Sequence, residues 1–258
     1  EIPGFGLVIS FFDFTHIRVL ALCILLPAFF ALRKRNATLA FGRIWPDKLL
    51  LAYLLLSTLL HLRDTTLTDA LRQTFYLFID VFLPYYVASR FLKTLDDFKD
   101  AMLSFSLAVM VLALVAVFEY ARHWLLYSAV IDAMGLHWSL AIYLGRGESI
   151  RAIVTTGQAI ALGYVISVAI GFYLFLQGSV RSTLQRRLGA LLLAAGLFAP
   201  LSRGPWIGAA AIVAVFVASS RGGLKNLMLL AVAGLLTLAL LPIVPGGAKI
   251  LNLLPFIG

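Results

Sequence analysis

Long apolar runs are the feature that most restricts the folds open to this chain. Of its 258 residues, 62% are hydrophobic and 13% are charged, whereas soluble domains carry about 25% charged residues. The runs are continuously apolar, while the strands of a membrane barrel alternate apolar and polar residues. We therefore expect an all-α integral membrane protein with the architecture of a polytopic transmembrane helical bundle.

About eight segments are predicted to cross the membrane as helices, because a span needs about 20 predominantly apolar residues. The three shortest, 49–62, 188–201 and 205–219, are expected to extend into their flanks or to cross a thin, protein-lined part of the membrane. We predict one integral membrane domain over residues 1–258. The segments are 15–32, 49–62, 73–89, 101–121, 154–176, 188–201, 205–219 and 226–244.

Positive charge alternates between successive loops. The loops after the first, third, fifth and seventh segments hold thirteen of the 21 lysine and arginine residues, which the positive-inside rule places in the cytoplasm. The chain then begins and ends on the outer side. The net charge of +9 is attributed to these loops and to anionic lipid, not to nucleic acid. The thirteen residues are Arg33, Lys34, Arg35, Arg43, Lys48, Arg90, Lys93, Lys99, Arg181, Arg186, Arg187, Arg221 and Lys225.

The longest outer connection covers residues 122–153. It contains Trp124, Tyr127, Trp138 and Tyr143, and aromatic rings of this kind favour the headgroup level of a bilayer. We therefore predict an interfacial helix in this connection.

An arginine interrupts the apolar stretch "LSRGPWIGAAAI" (residues 201–212). A charge at the centre of a membrane helix costs about 2.5–3.5 kcal/mol, so the stretch is predicted to be two helices joined by a tight outer turn. Pro205 suits the first turn of the second helix, and Gly204 is the predicted N-cap. Arg203 beside a helix N-terminus is typical of a phosphate site. The alternative is an arginine that reaches outward to lipid headgroups.

A second arginine precedes a helix in "RAIVTTGQAIALG", which begins at Arg151. Thr155 or Thr156 is predicted to cap that helix, and Gly157 leaves room for a ligand to approach the backbone. An ordinary helix start is the alternative interpretation.

Two further arginines lie near helix N-termini on the same side: Arg72 before the third segment and Arg18 in the first turn of the first. Together with Arg151 and Arg203, they predict a basic, outward-facing pocket for a membrane-borne anion.

One carboxylate falls within a predicted span. Asp80 is a candidate proton relay or partner of an arginine, with a structural hydrogen bond as the alternative, and Pro84 is predicted to kink the same helix. Glu119 ends the fourth segment and is predicted to pair with Arg122.

Motifs for other chemistry are missing from the sequence. The four histidines lack metal-ligand spacing, and there is no Walker A, GxGxxG or GxSxG motif. The single cysteine, Cys23, excludes an intrachain disulfide. We therefore expect neither a metal nor a cofactor.

Three of these stretches point to a known family. "LSRGPWIGAAAI" resembles the SRG-aromatic stretch of the O-antigen ligase and Wzy-type polysaccharide polymerase superfamily. "RAIVTTGQAIALGYVISVAIGFYLFL" resembles the arginine- and glycine-containing helix that precedes it there, and "LLPFIG" looks like the lead-in to the family's large periplasmic loop. The resemblance covers mainly residues 146–258, and the earlier helices fit in number and hydropathy alone.

The resemblance implies a GT-C-type glycosyltransferase of the bacterial inner membrane with a periplasmic N-terminus. Such proteins take a glycan from undecaprenyl diphosphate at the periplasmic face and transfer it to lipid A-core or to another lipid-linked unit, and a chain-length regulator is a further expected partner. They use no nucleotide sugar and no metal. The matching diphosphate-binding residues are Arg203 and Arg151.

Several points stay open at this stage. The chain has no initial Met and stops at Gly258, where the family's loop would begin, so it is expected to be either a piece of a longer protein or a shortened relative, and the general base is unassigned. Ligase and polymerase activities fit equally well. The competing functions are a transporter or flippase for a lipid-linked glycan or another anion, and a non-catalytic membrane subunit.

Overall fold

The computed structural model describes residues 16–34, 40–128, 145–146, 149–180, 182–220 and 222–240, and these residues are mostly helical. The all-α prediction is confirmed. The helices are α1 (His16–Leu20), α2 (Leu26–Lys34), α3 (Trp45–Asp64), α4 (Leu67–Leu77), α5 (Leu83–Phe91), α6 (Leu95–Arg122), α7 (Ala159–Leu176), α8 (Thr183–Phe198), α9 (Arg203–Ala218) and α10 (Gly223–Leu240).

Two helical stretches within the described ranges are long and apolar enough to cross a membrane: Leu95–Arg122 and Ala159–Ser179. Shorter apolar helices cover Arg203–Ala218 and Lys225–Leu236. The structure therefore supports two candidate spans, and the arrangement of eight spans stays a prediction.

The chain forms two compact units, Glu1–Phe98 and Lys99–Gly258. The single membrane domain expected from the sequence stays a prediction.

An aromatic cluster forms the core of the first unit where α2 packs against α5. The ring of Phe29 lies 4.7 Å from that of Tyr86, edge to face, and Phe41 lies 5.3 Å from Phe82. The Arg90 guanidinium lies 4.9 Å from the ring centre of Tyr86, within the range of a cation–π interaction. Rings therefore fill most of this core.

Two π-helical turns interrupt the helices of the first unit. Ala21–Leu25 joins α1 to α2, Phe78–Phe82 joins α4 to α5, and the two turns contact each other. Pro84 comes just after the second turn. Since proline has no backbone N–H for an α-helical bond, irregularity in the turn before it is expected. A bend of the helix at Pro84 stays a prediction.

A buried ion pair joins α3 to the end of α5. Arg90 is 2% exposed and Asp47 is fully buried, and two nitrogens of the guanidinium donate to the two carboxylate oxygens. Tyr85 Oη donates to the same carboxylate at 2.7 Å, and the Gly42 N–H donates at 2.9 Å. The assignment of Arg90 to a charged loop is therefore wrong, because Arg90 lies in the last turn of α5 and its charge is paired inside the unit.

Helix α7 is central in the second unit and packs against α8 and α9, while α9 also contacts α10. Two close approaches depend on glycine. A Cβ on Gly163 would lie 2.6 Å from Cγ of Pro205, and one on Gly196 would lie 2.5 Å from Cβ of Ala113. Glycine at these positions lets α7 approach the start of α9 and lets α8 approach α6.

The connection between α6 and α7 is described in part. Gly145–Arg146 (β1) and Ser149–Ile150 (β2) pair as an antiparallel hairpin. The predicted interfacial helix, with Trp138 and Tyr143, lies outside the described residues.

We expect Arg90→Ala to lower the free energy of unfolding by about 3–5 kcal/mol, because it leaves the Asp47 carboxylate buried without its partner. Thermal unfolding of the purified protein in detergent measures the change. Arg63→Ala is the matched control, since Arg63 pairs with Asp64 at the surface and such pairs contribute about 1 kcal/mol or less. Equal effects of the two substitutions would contradict the assignment.

Acid pH should also lower the stability of the folded protein, by protonating Asp47. Burial alone would raise the pKa of its carboxyl, but the hydrogen bonds from Arg90, Tyr85 and Gly42 lower the pKa below its ordinary value. Because the folded-state pKa is depressed, the resulting stability is present above about pH 4 and is lost as the pH falls through the folded-state pKa. The melting temperature of the wild type should therefore fall more steeply below about pH 4 than that of Asp47→Asn, and parallel curves would argue against this role.

Candidate functional site

The stretch "LSRGP" forms a tight turn between two helices, as predicted. Helix α8 ends at Phe198 and α9 begins at Arg203. Within the turn, Leu201 adopts a positive φ of 48°, and its N–H donates to the carbonyl of Phe198 at 2.9 Å. Pro205 lies in the first turn of α9, where its missing N–H has no cost.

The N-cap of α9 is Ser202, and the prediction of Gly204 is wrong. Ser202 has an extended backbone, and the helical residues begin one position later, at Arg203. Its side chain makes no capping bond to the helix. Instead, the Ser202 hydroxyl accepts from Arg151 Nη2 at 2.7 Å and donates to the carbonyl of Pro200 at 3.2 Å.

Arg151 is the residue that brings the two predicted segments together. Besides the bond to Ser202, its Nε donates to the carbonyl of Pro200 at 3.0 Å. The neighbouring Ala152 N–H donates to the carbonyl of Ala199 at 3.2 Å. These hydrogen bonds connect the loop before α7 to the turn that precedes α9.

The same loop ends in a left-handed residue before α7. Gly157 has a φ of 71° and is buried, so glycine is required there for its backbone conformation. The predicted threonine cap is wrong: α7 begins at Ala159, and the Thr156 hydroxyl donates to the carbonyl of Ile153 at 2.6 Å. A ligand approaching Gly157 stays a prediction.

The Glu119 side chain holds the loop before α7 in place. Its carboxylate is fully buried and accepts the backbone N–H groups of Ile153 at 3.1 Å, Val154 at 3.0 Å and Leu126 at 3.2 Å. The predicted pairing with Arg122 is wrong, since the three N–H groups take both carboxylate oxygens.

Three further contacts fix the first turn of α9. The Ser167 hydroxyl donates to the carbonyl of Pro205 at 2.8 Å. The Trp206 indole N–H donates to the carbonyl of Leu197 at 2.9 Å, and its ring stacks on that of Phe198 at 5.5 Å. The backbone around Arg203 is therefore held by α7 on one side and by α8 on the other.

This arrangement has the charge of an anion site. Arg151 and Arg203 are half-buried cations joined through Ser202 to one helix N-terminus, and Gly204 next to them is exposed. The N-terminus of a helix carries about half a positive charge, and backbone N–H groups there favour phosphate. Binding of a diphosphate at these residues stays a prediction.

The remaining predicted residues lie in the first unit, and each belongs to an ion pair. The prediction that Arg72 precedes a helix is wrong: it lies inside α4 and pairs with Asp69 in the first turn of that helix. Asp80 pairs with Arg18 at 3.1 Å, which confirms the prediction that Asp80 partners an arginine. The convergence of all four arginines in one pocket stays a prediction.

Sequence reasoning missed the role of Ser202 and misjudged that of Glu119. A serine directly before the motif arginine is a helix-capping signal, but nothing local to it shows the distant Arg151. A carboxylate at the end of an apolar helix indicates a buried partner. The partners of Glu119 are backbone N–H groups, which give no residue-specific signal in the sequence.

No protein-family model, curated protein or solved structure matches this chain. The class of protein therefore rests on the fold and the site. The described residues define an all-α chain with two helices able to cross a membrane and a basic turn at the start of α9. They include no cluster of three metal-ligating side chains.

Glu119→Gln should loosen the loop that carries Arg151. The amide keeps one acceptor oxygen and sets an NH₂ group against backbone N–H donors, at a cost of about 1–3 kcal/mol. Amide hydrogen exchange at Ile153 and Val154 should accelerate. Asp100→Asn, an exposed carboxylate on the same helix, is the control, and unchanged exchange at both amides would contradict the assignment.

Proposed function

We propose that this chain is a membrane glycosyltransferase of bacterial surface polysaccharide assembly. It polymerises or ligates glycan units carried on undecaprenyl diphosphate at the periplasmic face of the inner membrane. The observation that carries the proposal is the bonding of Arg151 to Ser202 and Pro200. It joins the two segments that resemble the O-antigen ligase and polymerase superfamily at one helix N-terminus suited to phosphate.

The distribution of apolar side chains supports a membrane location. Only 22% of the most apolar part of α6 is buried within the protein, and large apolar side chains on α3 and α10 are also exposed. Soluble monomers rarely expose apolar patches of this extent. In the proposal, residues 1–258 form one multi-pass domain of about eight spans with a periplasmic N-terminus.

The proposed reaction is a displacement at the anomeric carbon of the donor sugar. The acceptor hydroxyl oxygen forms the new glycosidic bond, and the bond from that carbon to the diphosphate oxygen breaks. The hydroxyl proton passes to a general base. Undecaprenyl diphosphate leaves with its electron pair, and Arg203 and Arg151 stabilise the charge that develops on it.

The partners follow from this reaction. The donor is an undecaprenyl-diphosphate-linked glycan, and the acceptor is either a second lipid-linked glycan or lipid A-core. A chain-length regulator is a further proposed partner. The reaction has no step that requires a cofactor.

Arg203→Ala should reduce glycan transfer at least about 100-fold, because it removes a fixed cation from the leaving diphosphate. Arg203→Lys should restore little activity, since lysine lacks the planar fork that binds two phosphate oxygens at once. Transfer is measured as elongated or ligated glycan in membranes that contain the full chain and a lipid-linked donor.

The control for this experiment is Arg63→Ala, which removes an arginine whose partner, Asp64, is also exposed. All variants should show the helical circular dichroism of the wild type. Normal glycan transfer by a folded Arg203→Ala protein would refute the proposal.

A second candidate function is transport of a lipid-linked glycan or another anion. The observation that favours it is the Arg18–Asp80 ion pair within the predicted spans, since intramembrane charges often mark transport pathways. A non-catalytic subunit is the third reading. Movement of labelled lipid-linked glycan between leaflets without new glycosidic bonds would favour transport over transfer.

A further inference from the structure

A groove of about 550 Å³ opens on the first unit. Its walls are mostly apolar and include Ala21, Ile24, Leu25, Ile79 and Pro84. A groove of this size and character accepts a hydrocarbon chain.

The groove is formed largely by backbone irregularity. Ala21, Ile24 and Leu25 belong to the π turn Ala21–Leu25, and Ile79 belongs to the π turn Phe78–Phe82. Single π turns within α-helices are frequent at functional sites. Two of them facing one groove therefore favour a binding role over a packing defect.

The polar part of the groove is the ion pair of Arg18 and Asp80. Both Nε and Nη2 of Arg18 donate to the same oxygen, Asp80 Oδ2, at 3.1 Å. The other oxygen, Oδ1, accepts no hydrogen bond from the described residues, and the Asp80 side chain is 38% exposed. The carboxylate can therefore accept a bond from a ligand without losing its arginine.

The pair sets the charge of that ligand. A purely anionic headgroup would be repelled by Asp80, and a purely cationic one would be repelled by Arg18. A zwitterion satisfies both, with its phosphate toward the guanidinium and an N–H donor toward Oδ1. An acyl chain then covers the apolar walls.

We infer that this groove binds a phospholipid with a zwitterionic, primary-ammonium headgroup, of which phosphatidylethanolamine is the simplest. Phosphatidylcholine is a poor ligand because its quaternary ammonium has no N–H to donate. The site lies within the first unit and binds a membrane lipid rather than the glycan donor. The inference rests on the proposed membrane location of the chain.

The experiment uses the full chain reconstituted in vesicles that contain equal amounts of phosphatidylethanolamine and phosphatidylcholine. Native mass spectrometry then counts the lipids that stay bound after detergent extraction. Phosphatidylethanolamine should be retained about tenfold over phosphatidylcholine, as expected for one hydrogen bond to a charged group.

Two variants locate the effect. Ala21→Phe fills the groove while leaving the ion pair in place, and it should abolish retention of both lipids at this site. Asp80→Asn removes the negative charge, and it should bring the ratio of the two lipids close to one. Arg63→Ala, which disrupts an exposed ion pair of the same unit, should leave the ratio unchanged.

The outcomes separate this inference from the proposed function. A chain that floats with the vesicles but retains the two lipids equally contradicts the inference alone. So does a preference for phosphatidylglycerol when that anionic lipid is added. A chain that does not float with the vesicles contradicts the membrane location and the inference with it.

Discussion

The Glu119 carboxylate is the contact on which the geometry of the second unit depends. Ala152, Ile153 and Val154 in the loop before α7 are buried, and buried backbone N–H groups without partners are costly. Two of these groups, at Ile153 and Val154, point at one carboxylate at the end of α6. With that loop fixed, Arg151 is held in reach of the turn that begins α9, and the candidate anion site follows from this chain of contacts.

In both units, polar side chains find partners inside the protein while large apolar side chains are exposed on the surface. Asp47 is matched by Arg90, and Ser167 donates to a backbone carbonyl of the neighbouring helix. The outer surface of α6 carries large apolar side chains such as Leu107 and Val111. This pattern suits a surrounding solvent that makes no hydrogen bonds, because every polar group there must find its partner within the protein.

Long apolar runs predicted the helices, and the Gly-Pro pair predicted the turn at Arg203, because both signals depend only on neighbouring residues. The partners of buried charges were not predictable in the same way. Arg90 looks like an ordinary loop cation until the fold places Asp47, 43 residues earlier in the chain, against it. The bond from Arg151 to Ser202 likewise spans 51 positions, and neither partner has a local sequence signal.

The two π turns give the first unit a particular tolerance to changes in chain length. A π turn has a hydrogen-bond ring one residue longer than that of an α turn, so each turn stores one extra residue. Deleting a single residue from Phe78–Phe82 would convert the turn to α-helix and leave the aromatic face of α5 directed at α2, because the extra residue is accommodated within the turn. A deletion elsewhere in α4 or α5 would instead rotate everything beyond it by about 100° and turn that face away from α2. Length variation within the π turns would thus change neither the placement of side chains nor the helix content appreciably.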